Sequence, residues 1–118
     1  MNFNELVELQ KIFDKDHNWP TGGDTVEEFI ENINSDIVGF IGEIGEFSNI
    51  IKKIRLDALN LNNDSRKKYE DILREELIDI FIYFMRISTY FNIDIESEYK
   101  AKLSRNKCRF KKYERDDD

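Results

Sequence analysis

Two short acidic motifs carry the residue types that could do chemistry in this chain. Glu43 and Glu46 share the segment GEIGE, and Glu76 and Asp79 share the segment EELID. The two carboxylates of each motif are three residues apart in an apolar helical pattern, and residues with that spacing lie on one face of an α-helix. Two such helices packed together would gather all four carboxylates. Because crowded carboxylates repel one another and lose solvation, such a cluster needs a cation.

The available ligands favour Mg²⁺ at this cluster, with Mn²⁺ also possible, since hard divalent cations prefer oxygen ligands. Zinc sites use His or Cys, and di-iron bundles use Glu-x-x-His, whereas the chain has one His and one Cys, both distant in sequence from the motifs. The alternative is that the acids are ordinary exposed helix residues. Gly42 and Gly45 flank Glu43, although glycine costs about 1 kcal/mol inside a helix relative to alanine. They indicate close approach by a ligand or another helix.

The apolar periodicity predicts an all-α antiparallel bundle of four to five helices, because three- and four-residue spacing dominates and strict alternation is absent. Loops are expected at 19–23, which contains the only proline, and at 57–64, which is rich in asparagine. Thr25 and Asp94 are expected to cap the helices that follow them, and Ser35 could cap a separate helix. One helix is expected at residues 4–16, and a second is expected to start at residue 26 and to weaken at Asn32, Asn34 and Ser35. The others are expected at 36 to about 55, 65 to about 91 (the longest), and 95 to about 109.

Composition indicates one domain, residues 1–115, followed by a frayed acidic tail at 116–118. The net charge of −7 argues against a general nucleic-acid binder, although residues 99–115 contain eight basic residues and one acidic residue. No apolar run approaches the roughly 20 residues of a membrane span, so we expect no membrane partner. The N-terminal residues lack the pattern of a secretion signal, and Cys108 has no partner for an internal disulfide. A cytoplasmic location is the simplest interpretation.

The two acidic motifs, followed by a basic motif at residues 102–110, resemble the motifs of the MazG-like members of the all-α nucleoside triphosphate pyrophosphohydrolase superfamily. The family pattern is a Glu-x-x-Glu helix, a variable spacer, a Glu-x-x-Asp helix and a K-x-x-x-N-x-x-R-aromatic ending. The resemblance covers about residues 13–110, and the GEIGE form looks most like the branch that contains dCTP pyrophosphatases. The residues that match the pattern are Glu43, Glu46, Glu76, Asp79, Lys102, Asn106, Arg109 and Phe110.

This resemblance implies Mg²⁺-dependent hydrolysis of a (deoxy)nucleoside triphosphate to the monophosphate and pyrophosphate, as in nucleotide-pool sanitation. The four acids would hold the metal, and Glu43 or Glu46 would act as the general base. The face of the last helix formed by Lys102, Asn106 and Arg109 would bind phosphate or sugar. In the loop before the second helix, His17 and Trp19 are candidates for contact with the base, whose identity the sequence leaves open.

The apolar positions exceed what one small bundle can bury, and family members also pair, so we expect a homodimer or a homotetramer. The closest alternative activity is that of a phosphoribosyl-ATP pyrophosphohydrolase-type enzyme. A non-enzymatic helical interaction or regulatory protein would instead have surface acids and no metal-dependent stability. A nucleic-acid binder that uses the basic last helix would show salt-dependent binding, but the negative charge opposes it.

Overall fold

A computed structural model describes residues 1–115, and the predicted frayed tail, 116–118, lies outside the described residues. The described chain contains four α-helices, one short 3₁₀ helix and no strand, so the all-α prediction is confirmed. Helices α2 and α3 form an antiparallel hairpin, α1 packs against α3, and α4 packs against α1. The elements are α1 (Phe3–Asp16), α2 (Val26–Leu61), α3 (Glu70–Tyr90), α4 (Ile95–Arg109) and the 3₁₀ helix Lys111–Tyr113.

Short-range signals set most of the helix ends. The Thr25 hydroxyl accepts the Glu28 N–H at 3.1 Å, and the Asp94 carboxylate accepts the Ser97 N–H at 3.2 Å, so both predicted N-caps form. Beyond the C-terminal ends of α1, α2 and α3, an asparagine adopts positive φ, a conformation that asparagine tolerates better than most residues. These residues are Asn18, Asn62 and Asn92.

The predicted break between residues 34 and 36 is wrong, because α2 runs through it as one helix of 36 residues. Asn32, Asn34 and Ser35 are weak helix formers, but propensity yields to tertiary contacts. The Asn32 side chain donates to the Gly22 carbonyl at 2.7 Å, and Asp36 bonds to Arg86 of α3 at 2.8 Å. These contacts anchor the helix where its local sequence is weakest.

The predicted loop at 57–64 is also displaced. Helix α2 continues to Leu61, and the N–H groups of Asn62 and Asn63 bond back to the carbonyl of Asp57. Helix α3 begins at Glu70 rather than at residue 65, which makes α2 the longest helix. Residues 66–69 form turns, and the Asp64 carboxylate accepts the Arg66 N–H at 3.1 Å. Local bonds of this kind compete with helix initiation.

Gly39 of α2 lies directly against α3, where an added Cβ would collide with the ring of Tyr83. Added Cβ atoms at Gly42 and Gly45 would meet nothing within 4 Å. The close contact predicted at these two glycines is therefore not made by a helix of the same chain. The face that they share is open to a ligand or to another molecule.

Candidate metal centre and adjoining cavity

The α2–α3 hairpin brings the two acidic motifs together near the middle of α2. Glu43 and Glu46 from α2 and Glu76 from α3 each offer a carboxylate oxygen, and the three oxygens lie within 4.8 Å of one another. The relative register of α2 and α3 follows from the apolar residues beside each acid, since Phe40, Phe47 and their neighbours lie on the side of α2 that faces α3. Carboxylates from two helices therefore meet at the edge of the hairpin seam.

Two of these carboxylates are partly buried without the hydrogen bonds that usually offset the cost of burial. The Oε2 atoms of Glu43 and Glu76 are buried and have no hydrogen-bond partner, whereas Glu46 is exposed. The neighbouring Glu43 carboxylate, with which Glu76 can share a proton, is the largest cause that raises the pKa of Glu76; burial and the charges of Glu43 and Asp79 raise it further, and the neighbouring Glu46 carboxylate opposes the shift. Crowded acids shift in this direction when no cation neutralises them. The site is thus short of positive charge.

Asp79 lies one turn beyond Glu76 on α3 and is half-buried. Within the described residues it does not belong to the group of three converging oxygens. It lines the adjoining cavity together with Glu43, and its negative charge contributes to the raised pKa of Glu76. The structure therefore places Asp79 next to the three glutamates, at the wall of the cavity.

A cavity of about 680 Å³ adjoins the carboxylates, and three helices and the 19–23 loop contribute to its wall. That volume lies within the ~300–1,000 Å³ typical of small-molecule sites. Glu43 and Asp79 line it along with Trp19, Tyr83 and Phe13. An aromatic surface and metal-binding groups thus border one space. A ligand with a planar ring and a charged end would fit such a space.

The loop residues predicted to contact a base form an aromatic group. The Trp19 side chain is 51% exposed and lines the cavity, and its ring stacks on His17 with centroids 4.9 Å apart. The His17 ring in turn lies 4.2 Å from Phe13, and its Nδ1 is 2.6 Å from the Phe13 carbonyl oxygen. His17 supports Trp19 from behind, and Trp19 is the residue that faces the cavity.

The predicted phosphate-binding residues lie elsewhere in this chain. Lys102 and Arg109 are exposed and Asn106 is half-buried on α4, which packs against α1. The Arg109 guanidinium lies over the Phe110 ring at 5.0 Å. None of the three lines the cavity beside Glu43 and Asp79. Within one chain, the structure brings together the acids and Trp19 but does not bring α4 to them.

A buried ionic group that the sequence pattern did not predict lies in the wall of the same cavity. Arg86 of α3 bonds to Asp36 of α2 through Nε at 2.8 Å and Nη2 at 3.1 Å, and to Asp14 of α1 through Nη1 at 2.9 Å. All three side chains are at most 11% exposed. The available signal was an arginine within the apolar run from residue 80 to residue 87, since arginine is rarely buried unless it is paired.

Comparison with protein-family models, with curated proteins and with solved structures finds no match for this chain. The fold and the geometry of the site are therefore the observations on which function can be argued. No helix within residues 1–115 has both the length and the apolar character needed to cross a bilayer.

Proposed function

We propose that this protein is a Mg²⁺-dependent nucleotide pyrophosphohydrolase that cleaves a (deoxy)nucleoside triphosphate to the monophosphate and pyrophosphate. The observation that carries the proposal is the convergence of Glu43, Glu46 and Glu76 within 4.8 Å, with two buried oxygens that have no partner. Orphaned buried acceptors and an all-carboxylate donor set fit a hard divalent cation. The resemblance to MazG-like enzymes supports the same activity, and nucleotide-pool sanitation is the role that it suggests.

In this proposal Glu43, Glu46 and Glu76 hold Mg²⁺, with Mn²⁺ as a possible substitute, and Asp79 adds negative charge at the cavity wall. Bound metal would neutralise phosphate charge and lower the pKa of a coordinated water. Glu43 or Glu46 would accept the proton of the attacking water. Mg²⁺ is usually held partly by substrate phosphates, which explains how three close carboxylates can suffice.

The cavity supports a nucleotide as the substrate. Trp19 offers a large, half-exposed aromatic face on which a base can stack, with His17 behind it. The triphosphate would extend toward the carboxylate cluster, because the metal it shares with the protein lies there. Lys102, Asn106 and Arg109 are proposed phosphate contacts, and because α4 lies away from the cavity they would reach the substrate through assembly with another copy.

The direct test is a panel of ribo- and deoxynucleoside triphosphates with Mg²⁺, scored for monophosphate and pyrophosphate. Phosphoribosyl-ATP belongs in the panel, because its hydrolysis would identify the closest alternative, a phosphoribosyl-ATP pyrophosphohydrolase-type enzyme. Glu76→Gln should lose activity by orders of magnitude while the protein remains folded. Glu75→Gln is the matched control, because Glu75 is the exposed neighbour on the same helix. Wild-type protein that hydrolyses no substrate in the panel, or a Glu76→Gln variant with wild-type activity, would overturn the proposal.

We also propose that the protein is a homo-oligomer, because one copy buries too little surface. Its accessible surface is 9678 Å², roughly 2,900 Å² more than a compact monomer of this mass exposes. Its radius of gyration is 18.9 Å, against about 13.5 Å for a compact domain of this length. Obligate homodimers bury roughly 1,000–2,500 Å² on each chain. The excess fits a large dimer interface, or the two interfaces of a tetramer.

The surface that needs a partner lies mainly on the α2–α3 hairpin. On α2, apolar residues recur in a stripe about 100° around the helix from the side that faces α3, at 100° per residue. Each residue of this stripe is at least 36% exposed: Ile30, Ile37, Ile41, Ile44 and Ile51. A helix that is apolar on two sides requires two partners. The same chain supplies one of them, α3, and a second copy would supply the other.

The end of the hairpin near the α2–α3 loop also has apolar surface that no other helix of the same chain covers. Helix α1 has 14 residues against 36 in α2, and its contacts with Phe81 and Arg86 place it over the C-terminal half of α3. The other end of the hairpin is therefore only two helices thick. A groove of about 760 Å³ lies there, lined by Phe47, Ile51 and Leu77 among others. In a symmetric dimer the two copies would cover each other's grooves.

A further inference from the structure

The loop that carries Trp19 has little backbone structure of its own. Pro20 lacks an N–H, and residues 20–24 make no backbone–backbone hydrogen bond in the described structure. The Trp19 ring contacts its sequence neighbours His17 and Phe13. Something else must therefore hold the ring at the cavity. Without such support, ordering the loop around a ligand would cost conformational entropy at each binding event.

The buried ionic group supplies that support from the helices. Arg86 Nη1 lies 3.5 Å from the Trp19 carbonyl oxygen, and Nη2 lies 3.5 Å from the Pro20 carbonyl oxygen. The Tyr90 hydroxyl oxygen lies 3.3 Å from the same Pro20 oxygen, but its single hydrogen is donated to Asp36, so Tyr90 acts on the loop through the Asp36–Arg86 pair. Two successive carbonyls of the loop are thus within reach of the Arg86 guanidinium of α3. The Trp19 N–H also donates to the Asp14 carbonyl of α1 at 2.9 Å.

The donors themselves are fixed by two aspartates. The Asp36 carboxylate accepts hydrogen bonds from two nitrogens of the Arg86 guanidinium in a bidentate pair. It also accepts a hydrogen bond from the Tyr90 hydroxyl. Asp14 accepts from Arg86 and from the Gln10 side-chain amide, at 2.9 and 2.8 Å. Burial lowers the pKa of Arg86, but the charges and hydrogen bonds of Asp36 and Asp14 outweigh it and raise the pKa overall. The guanidinium therefore stays charged and its orientation is set by three helices.

We propose that Arg86 and Tyr90 are positioning residues that hold the Trp19–Pro20 segment so that the Trp19 ring faces the cavity beside the carboxylates. A buried ion pair alone adds little net stability, because desolvation offsets the attraction. Arg86 has a role beyond charge pairing, because its guanidinium reaches two loop carbonyls and its side chain lines the cavity wall. The nature of the ligand that Trp19 meets rests on the proposed function, but the placement of the loop does not.

The test uses Trp19 itself, the only tryptophan of the chain, as a fluorescent reporter. Tyr90→Phe removes one hydroxyl and keeps the ring, and Arg86→Lys keeps the charge but loses the planar fork. The matched controls are Tyr99→Phe and Arg74→Lys, whose side chains are exposed away from the loop. Both test variants should show a red-shifted emission, stronger acrylamide quenching and lower anisotropy of Trp19, and the controls should not.

Kinetic measurements distinguish a positioning role of Tyr90 from a purely structural role in stabilising the fold. With the preferred nucleotide, Tyr90→Phe should raise KM about fivefold, the equivalent of one hydrogen bond, and leave kcat nearly unchanged. A Tyr90→Phe protein that melts lower but keeps the wild-type Trp19 signal and KM would overturn the positioning role. If wild-type protein hydrolyses no triphosphate, the proposed function fails while the fluorescence still decides the positioning role. If Arg86→Lys does not fold, Tyr90→Phe alone decides it.

Discussion

The carboxylate cluster predicts that divalent metal stabilises the fold and that one amide substitution abolishes this effect. In wild-type protein, Mg²⁺ at a hundred times its dissociation constant adds about 2.7 kcal/mol by mass action. Unfolding entropy of about 2.1 cal/mol/K per residue makes 1 kcal/mol worth roughly 4 °C in a chain of this length. Saturating Mg²⁺ should therefore raise Tm by about 10 °C. Glu76→Gln should lose most of that increase, because it removes one of three converging oxygen anions.

The same substitution should not weaken the metal-free protein. A raised pKa in the folded state means that the ionised Glu76 opposes folding above that pKa, so stability falls as the pH rises through it. The glutamine side chain is neutral, has nearly the same shape and can donate to Glu43. Metal-free Glu76→Gln should thus melt at or above the wild-type Tm at neutral pH. Loss of the metal response together with retained metal-free stability distinguishes a ligand from a structural residue.

The assay is thermal melting across an Mg²⁺ titration, at one protein concentration because oligomers melt in a concentration-dependent way. EDTA gives the metal-free reference, and Glu75→Gln controls for the loss of one surface charge. A non-enzymatic helical protein would show no specific response to Mg²⁺. If Glu76→Gln keeps the full wild-type increase, the carboxylates do not bind metal and the reasoning from the buried oxygens is refuted.

Three further predictions test the interface, α4 and the helix seam. Ile44→Asp should reduce the oligomer to a smaller species in light scattering; a wild-type monomer at micromolar concentration would refute the interface. Arg109→Ala should cost about 2–5 kcal/mol in kcat/KM if its phosphate contact is desolvated, with little change in Tm; a lower Tm with unchanged activity would make the residue structural. Gly39→Ala should destabilise by about 1–3 kcal/mol through overpacking, whereas Gly42→Ala, with open space around it, should be neutral or stabilising in thermal melts.

The sequence predicted the all-α class and the caps because those features depend on neighbouring residues. It also predicted that the two acidic motifs would approach each other. Each acid flanks the apolar stripe of its helix, and consecutive helices joined by a short connection pack antiparallel. The position of Glu43 opposite Glu76 then follows from burying the residues beside them. Short-range pattern and simple topology were enough for that part of the site.

Features that depend on long-range contacts were not predictable in this way. The continuity of α2 through Asn32 and Ser35 depends on bonds to the 19–23 loop and to α3. The group formed by Arg86 with Asp14 and Asp36 joins residues up to 72 positions apart. An isolated arginine in an apolar run signals a buried pair but does not name its partners. Only the three-dimensional packing identifies them.

The position of α4 shows why the site and the assembly must be considered together. A triphosphate brings several negative charges to a place where Glu43, Glu46 and Glu76 are already crowded, so binding requires cations beyond the protein's own neighbouring side chains. In the proposed reaction, bound metal would supply part of that charge. Arg86 also lines the cavity, but its charge is already paired with Asp14 and Asp36. The basic residues of α4 would be a further source, yet in one copy α4 packs against α1 and neither Lys102 nor Arg109 lines the cavity. The exposed apolar stripe on α2 marks where a second copy can approach. Oligomer formation would then complete the charge balance of the site as well as bury the apolar surface.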